Sequence, residues 1–174
     1  LKSYNFILLY GLNEGFKNEV VNKILNNPNE IFRYDEKTIL DSPNQFIENI
    51  LTKSLFENEK IIIINRVTDK IYKIIESLYL KNISDRILLL AGPLEKKSKL
   101  RTLFEKEKNL VCIPFYPDND ATISKLTFDF FKRRNIQISQ SNINQIVSKT
   151  LGDRAKLKNE LEKIENFLRN GKKI

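Results

Sequence analysis

Residues Leu8 to Val21 read LLYGLNEGFKNEVV. An apolar run meets two glycines, Gly11 and Gly15, and an amphipathic segment carrying Lys17 follows. That is the order of a strand, a phosphate-binding loop and a helix. A working loop reads G-x-x-x-x-G-K-[ST]; its lysine neutralises the β and γ phosphates and its hydroxyl holds magnesium. Here the order is Gly11-Leu12-Asn13-Glu14-Gly15-Phe16-Lys17-Asn18. The spacing between the glycines is one residue short. Phe16 stands where the lysine should follow the second glycine, and Asn18 where the hydroxyl should be. Glu14 puts a negative charge inside the cradle, and no G-x-G-x-x-G dinucleotide fingerprint is present. The stretch keeps the frame of a nucleotide-binding α/β protein and has lost its chemistry, so Gly11, Gly15 and Lys17 are read as a structural loop that binds no cofactor.

Outward from this loop, short apolar runs alternate with helical patterns. The runs are Phe6 to Tyr10, Ile31 to Tyr34, Ile61 to Ile64, Ile87 to Leu90 and Leu110 to Ile113. Continuously apolar strands mean burial on both faces, the mark of a parallel sheet covered by helices. Helical patterns lie at Glu14 to Leu25, Pro43 to Leu55, Asp69 to Leu80 and Lys97 to Lys108. With right-handed crossovers they give a five-stranded parallel sheet in a three-layer α/β domain over residues 1–117. A nucleoside triphosphatase also needs an acidic pair after the third strand and a polar sensor after the fourth. The third strand ends in Asn65-Arg66 and the fourth in Ala91-Gly92. Three independent sites fail together.

Pro114, Pro117 and the polar turn Asp118-Asn119-Asp120 mark a boundary. Asp118 and Asp120 read as a turn with a helix N-cap, since nothing nearby completes a metal shell. Three helices follow over 118–174. The first covers Ala121 to Arg134. The second carries Ile143, Ile146, Val147 and Leu151 on one face and stops at Gly152. The third carries the stripe Leu157, Leu161, Ile164 and Leu168. The stripes are the core of a small three-helix domain.

Composition narrows the function. The 174-residue chain has 30 Lys plus Arg against 22 Asp plus Glu, a net charge of +8. Most lysines alternate with glutamates, which is a solvated surface; Lys132, Arg133 and Arg134 are the concentrated basic run, and a DNA-binding module is one alternative reading. There is no histidine, hence neither the commonest general base nor the commonest metal ligand. The single cysteine, Cys112, sits in the apolar run LVCIPF and reads as a small buried hydrophobe. No apolar stretch nears membrane-spanning length and no signal peptide is visible, so a cytoplasmic protein is expected. The chain lacks methionine and its first residue already leads into a strand, which points to a piece of a longer protein.

Four stretches then carry a resemblance: FILLYGLNEG near the start, SLFENEKIIIINRV in the middle, RILLLAGPLEKKSKL before the boundary and GDRAKLKNELEKI at the end. In this order they cover nearly the whole chain, and the chain resembles the delta subunit family of the bacterial DNA polymerase III clamp loader. The resemblance implies an AAA+ module with a degenerate nucleotide site, a helical lid, and a C-terminal collar domain that this sequence does not include. It implies no catalytic site, membership of the polymerase holoenzyme, and a role in DNA replication: binding the sliding clamp and springing one of its interfaces. The implied partners are the clamp, the other loader subunits and, weakly or within the complex, primed DNA. The clamp-binding tip of that family matches Leu55 and Phe56.

The residues around the tip are consistent with that role. A helix over Pro43 to Leu55 would bury Ile47, Ile50, Leu51 and Ser54; continued at 3.6 residues per turn, it leaves Leu55 at the edge of the stripe and Phe56 on the far side. The other reading of the pair is core. One departure concerns the lid: where such lids carry G-D-x-R, here Arg154 directly follows Asp153. Asp153 is expected to cap the last helix and Arg154 to lie at the surface or in a subunit contact. The rival functions are an active P-loop NTPase and the basic DNA-binding module.

Overall fold

A computed structural model of the chain describes residues 4–25, 30–52 and 60–169. It divides into two units, Leu1–Gly11 with Val21–Pro114, and Leu12–Val20 with Phe115–Ile174. The sequence reading drew a single cut after residue 117; here the loop after the first strand goes with the helical part.

The first unit is built on five strands, β1 (Phe6–Gly11), β2 (Glu30–Asp35), β3 (Lys60–Val67), β4 (Arg86–Ala91) and β5 (Leu110–Phe115). They form one parallel sheet in the order β2-β3-β4-β1-β5. Registers such as Leu8 opposite Leu89 and Ile62 opposite Ile87 align the apolar runs across the sheet. Alternate residues face opposite sides. Leu8, Ile62, Ile64 and Leu89 pack on one side against Ile39, Phe46, Ile75, Leu78 and Phe104 from the helices. Ile7, Leu9, Ile63 and Leu88 point the other way and are equally buried. Burial on both faces is why β1, β3 and β4 read as unbroken apolar runs, while the edge strand β2 is mostly exposed.

Helices α1 (Glu14–Ile24), α2 (Glu36–Asp41), α3 (Pro43–Leu51), α4 (Tyr72–Leu80) and α5 (Lys99–Lys106) connect the strands. A single 3₁₀ turn, Asp69–Ile71, leads into α4. Two expectations need correction. Helix α2 was not foreseen, and α3 stops at Leu51 rather than Leu55. Thr52 leaves the helix with φ −81° and ψ 92°, its N–H still bonded to Glu48 O. The buried residues of α3 are Phe46 and Ile50, with Ile47 half-buried and Leu51 41% exposed. Phe46 takes the central place because its ring packs edge-on against Tyr34 at 5.2 Å. Leu55 and Phe56 lie outside the described residues.

The second unit contains α6 (Asp120–Lys132), α7 (Gln140–Thr150) and α8 (Arg154–Arg169). Its core is Ile123, Phe131, Ile143, Ile146, Val147, Leu157 and Leu161, flanked by half-buried Ile164 and Leu168. Leu151 does not join that face: it caps α7 with φ 50° and is 71% exposed. Gly152 follows at φ 74°, and a Cβ there would lie 2.3 Å from Asp118 O. Only glycine fits both the left-handed backbone and that approach. No helix among the described residues is long and apolar enough to cross a membrane.

Candidate functional site

The loop after β1 and the start of α8 meet inside the second unit. Gly11 closes β1 with φ 129°, and within the first unit its N–H bonds Gly92 O at 3.1 Å. Asn13, fully buried, is the N-cap of α1: its Oδ1 accepts the Phe16 N–H at 3.1 Å. The same oxygen accepts Arg154 N–H at 3.2 Å, and Nδ2 donates to Tyr116 O at 3.2 Å and Asp118 Oδ2 at 3.1 Å. The whole hydrogen-bonding capacity of the amide is used.

A phosphate loop works because N–H groups at a helix start point at an anion. Here that anion is supplied by the chain. Asp153 Oδ2 accepts the Glu14 N–H at 2.9 Å, while Oδ1 accepts Ala155 N–H at 2.7 Å and Lys156 N–H at 3.0 Å. One carboxylate thus joins the N-termini of α1 and α8, and the expected N-cap role of Asp153 is only half of what it does. Gly15 lies under the first turn of α8: a Cβ on it would sit 2.1 Å from Ala155 N and 2.5 Å from Arg154 C. The second glycine serves helix packing.

The loop lysine is equally committed. Lys17 is 2% exposed, and its Nζ sits 2.6 Å from Glu14 Oε1. The misplaced Phe16 has a use too. Its ring packs edge-on against Phe115 at 5.2 Å and carries the Arg154 guanidinium 3.9 Å above it. Arg154 grips Asp118 with two nitrogens, at 2.7 and 3.2 Å, and Glu19 with a third at 2.9 Å. This corrects the expectation of a surface or intersubunit arginine: Arg154 is spent inside its own unit. Asp118 is likewise no helix cap; Asn119 caps α6 through Thr122 N–H at 2.8 Å.

The electrostatics follow. The Arg154 guanidinium, with help from the Asn13 amide, holds the Asp118 carboxyl below its ordinary value of 3.8. Asp118 in turn raises the Arg154 pKa. Glu14, Glu19, Asp118 and Asp153 gather around Lys17 and Arg154, an arrangement that disfavours a phosphate. The site binds one helix start to another. In the first unit, Asn65 Nδ2 donates to Tyr34 O at 3.3 Å and Arg66, at φ 56°, pairs with Asp35. Both residues lie inside β3, which runs past the expected end at Ile64, and they bond to the edge strand β2. Cys112 is half-buried on β5, and burial pushes its thiol up to about 11, which disfavours the reactive thiolate.

Two outcomes are expected. Calorimetric titration with Mg-ATP should give no binding heat, and a micromolar dissociation constant would contradict this account of the loop. The second concerns pH. A depressed carboxylate pKa stabilises the fold fully above the unfolded value of 3.8, and the contribution is lost as pH falls through the lower folded value. In urea melts, wild type should exceed Asp118→Asn in stability at neutral pH, and the gap should close on acidification below 3.8. A gap that stays constant to the acid limit would contradict the pairing.

Sequence analysis named Gly11, Gly15 and Lys17 and read their lost chemistry from identity alone. It missed Asn13 and the reach of Asp153, which lie 140 residues apart in the chain. The signal within reach was an Asn directly before a helical pattern, an N-cap signature.

No family model matches the chain, and no curated protein matches it in sequence. Solved structures do match in fold. The chain is similar to the Bacillus subtilis DNA clamp loader delta protein (YqeN), with a TM-score of 0.56 and 16% identity, over 95% of this chain and 54% of that one. It is similar to AMPPCP-bound DnaA from Aquifex aeolicus, with a TM-score of 0.62 and 14% identity, over 96% of this chain and 57% of that one. It is also similar to the RuvB Holliday junction branch migration motor of Thermotoga maritima, with a TM-score of 0.59 and 13% identity, over 95% and 55%. At these identities the likeness is one of fold, a parallel five-stranded sheet with flanking helices. The chain spans about half the length of these three structures.

Proposed function

We propose that the chain is the AAA+ and lid portion of a clamp-loader subunit that does not hydrolyse ATP, and that it binds a sliding clamp through Leu55 and Phe56 during DNA replication. The observation that carries this reading is the Asp153 carboxylate on the Glu14 N–H at 2.9 Å. An AAA+ fold whose phosphate loop is occupied by its own side chain is suited to binding a partner rather than turning over nucleotide. Among the AAA+ proteins it resembles, the delta family is the one whose sequence pattern it follows along nearly its whole length. The clamp loader delta protein among the similar folds supports the same choice.

The mechanism is differential binding. A ligand moves a ring from closed to open only by the excess with which it binds the open form. Leu55 and Phe56, inserted in a clamp pocket, would stabilise a ring whose interface is strained. ATP would act in other loader subunits, by exposing or covering this tip. The α/β part over 1–117 and the lid over 118–174 would then act as a presenting platform, with further loader subunits and primed DNA as partners in the assembly.

The test is a pull-down of the sliding clamp of the same organism by the purified chain. Retention should be the same with and without ATP, because the chain has no nucleotide to respond to. Failure to retain the clamp at micromolar concentrations, or retention only with ATP, would overturn the proposal.

A further inference from the structure

Helix α6 presents an exposed face that neither the lid core nor the loop network uses. Phe128 is 49% exposed on it. Lys125 lies one turn before and Lys132 one turn after, both exposed. The Lys132 ammonium sits 6.0 Å from the centre of the Phe128 ring. Among the described residues neither lysine is held in an ion pair. Seven residues of helix separate them by about 10 Å, so they flank the ring on both sides.

The face continues into a groove of about 580 Å³ at the end of the helix. Asn135, at φ 53°, turns the chain there: its N–H bonds Lys132 O at 3.1 Å and the Ile136 N–H bonds Phe131 O at 3.0 Å. This closes the helix carbonyls and folds the following residues back. Phe131, Ile136 and Ile138 make the groove apolar; Lys132, Asn135 and Gln137 give it cations and amides. Arg133 adds an exposed charge. Arg134 is otherwise engaged, stacked 3.6 Å over Phe130 and paired with Glu165 at 3.2 Å. Asp129 is the one carboxylate between residues 125 and 138.

An exposed aromatic between unpaired cations, beside an apolar slot rimmed with amides, matches a chain of planar bases on a polyanionic backbone. Stacking takes the base faces, ammonium groups take the phosphates, and amides meet base edges. A duplex hides its base faces and would leave Phe128 unused. We propose that this face of α6 and its terminal groove bind single-stranded DNA, with a base on Phe128 and phosphates at Lys125 and Lys132. The choice of DNA over RNA rests on the replication reading above; the recognition chemistry does not.

The experiment is fluorescence anisotropy of a labelled oligothymidylate of about twelve nucleotides, a length within the usual site size, titrated with the full chain at several salt concentrations. Phe128→Ala should weaken binding about tenfold or more, and Phe128→Trp should retain it. Lys125→Gln with Lys132→Gln should lower the slope of log affinity against log salt by about 1.4, at roughly 0.7 per phosphate contact on a single strand. Thermal melts of these variants should match wild type, since all three residues are exposed. Unchanged affinity of Phe128→Ala would overturn the proposal. So would an equal slope change in the remote pair Lys96→Gln with Lys106→Gln, tighter binding to duplex or to oligouridylate, or no binding at low salt. Clamp retention by Phe128→Ala should stay intact, which separates this proposal's failure from that of the clamp reading.

Discussion

Replacing Leu55 and Phe56 together by alanine is expected to abolish clamp binding and to leave the thermal melt unchanged. Each large apolar side chain fully buried at an interface contributes roughly 1.5–3 kcal/mol. Losing both removes about 3–6 kcal/mol, on the order of a hundredfold or more in dissociation constant. The competing account, in which the pair is core, predicts the opposite split. Large-to-small changes in a core leave cavities and cost about 2–5 kcal/mol each, so the melt would fall sharply. Helix α3 bears on the choice only up to its end. Its buried residues are Phe46 and Ile50, and Leu51, its last residue, is already 41% exposed. Surface plasmon resonance against the clamp, run beside thermal melting, separates the accounts. A double variant that melts far earlier, while its folded fraction binds the clamp normally, would make these residues core.

The strands were legible because a doubly buried strand must be apolar at every position, and Ile61 to Ile64 and Ile87 to Leu90 are. The lid helices were legible for a similar reason: Leu157, Leu161, Ile164 and Leu168 recur at helical spacing and line one core. Errors arose where one residue decided between near-equal options. The stripe of α3 was placed on Ile47, Ile50, Leu51 and Ser54; Ile50 is buried and Ile47 half-buried, but Phe46, packed on Tyr34, takes the place given to Leu51. Leu151 was assigned to the face of α7, but the backbone turns left-handed there and carries the side chain out.

The site divides in the same way. The expectation that the loop serves no nucleotide came from Phe16, Asn18 and Glu14, because catalysis demands particular groups at fixed spacing. What the loop does instead was not readable. Asp153 and Arg154 are distant in sequence, and a carboxylate capping a local helix looks the same whether or not it also reaches a second one. Phe16 looked like a lost lysine; in the fold it is the platform for Arg154. A degenerate site is thus not an eroded one. The N–H donors that a phosphate loop would turn to an anion have acceptors within the chain, which keeps buried polar groups satisfied.

That rebuilt contact gives the second large expected effect, Gly15→Ala. Helix propensity alone predicts a gain, since Ala is better than Gly inside a helix by about 1 kcal/mol. Packing predicts a loss. The new methyl would lie 2.1 Å from Ala155 N, 2.5 Å from Arg154 C and 2.7 Å from Arg154 Cβ, and two of these are backbone atoms that no rotamer change can move. Helix α8 would have to retreat from the loop. Overpacking of this kind costs about 1–3 kcal/mol. The retreat also strains the bonds from Glu14 N–H to Asp153 and from Arg154 N–H to Asn13, 2.9 and 3.2 Å long. A buried group left without a partner costs roughly 1–3 kcal/mol. A net destabilisation of about 1–5 kcal/mol is expected, at its upper end a large part of the 5–15 kcal/mol that holds a typical domain together. Gly92→Ala is the control: nothing lies within 4 Å of its added carbon, and stability should stay put. Urea melts measure the loss, and native-state hydrogen exchange locates it. Protection should fall in residues 12–20 and along α8 while β3 and β4 keep theirs. A Gly15→Ala protein as stable as wild type, with α8 still protected, would mean that this glycine is a relic of a phosphate site and that α8 does not depend on it.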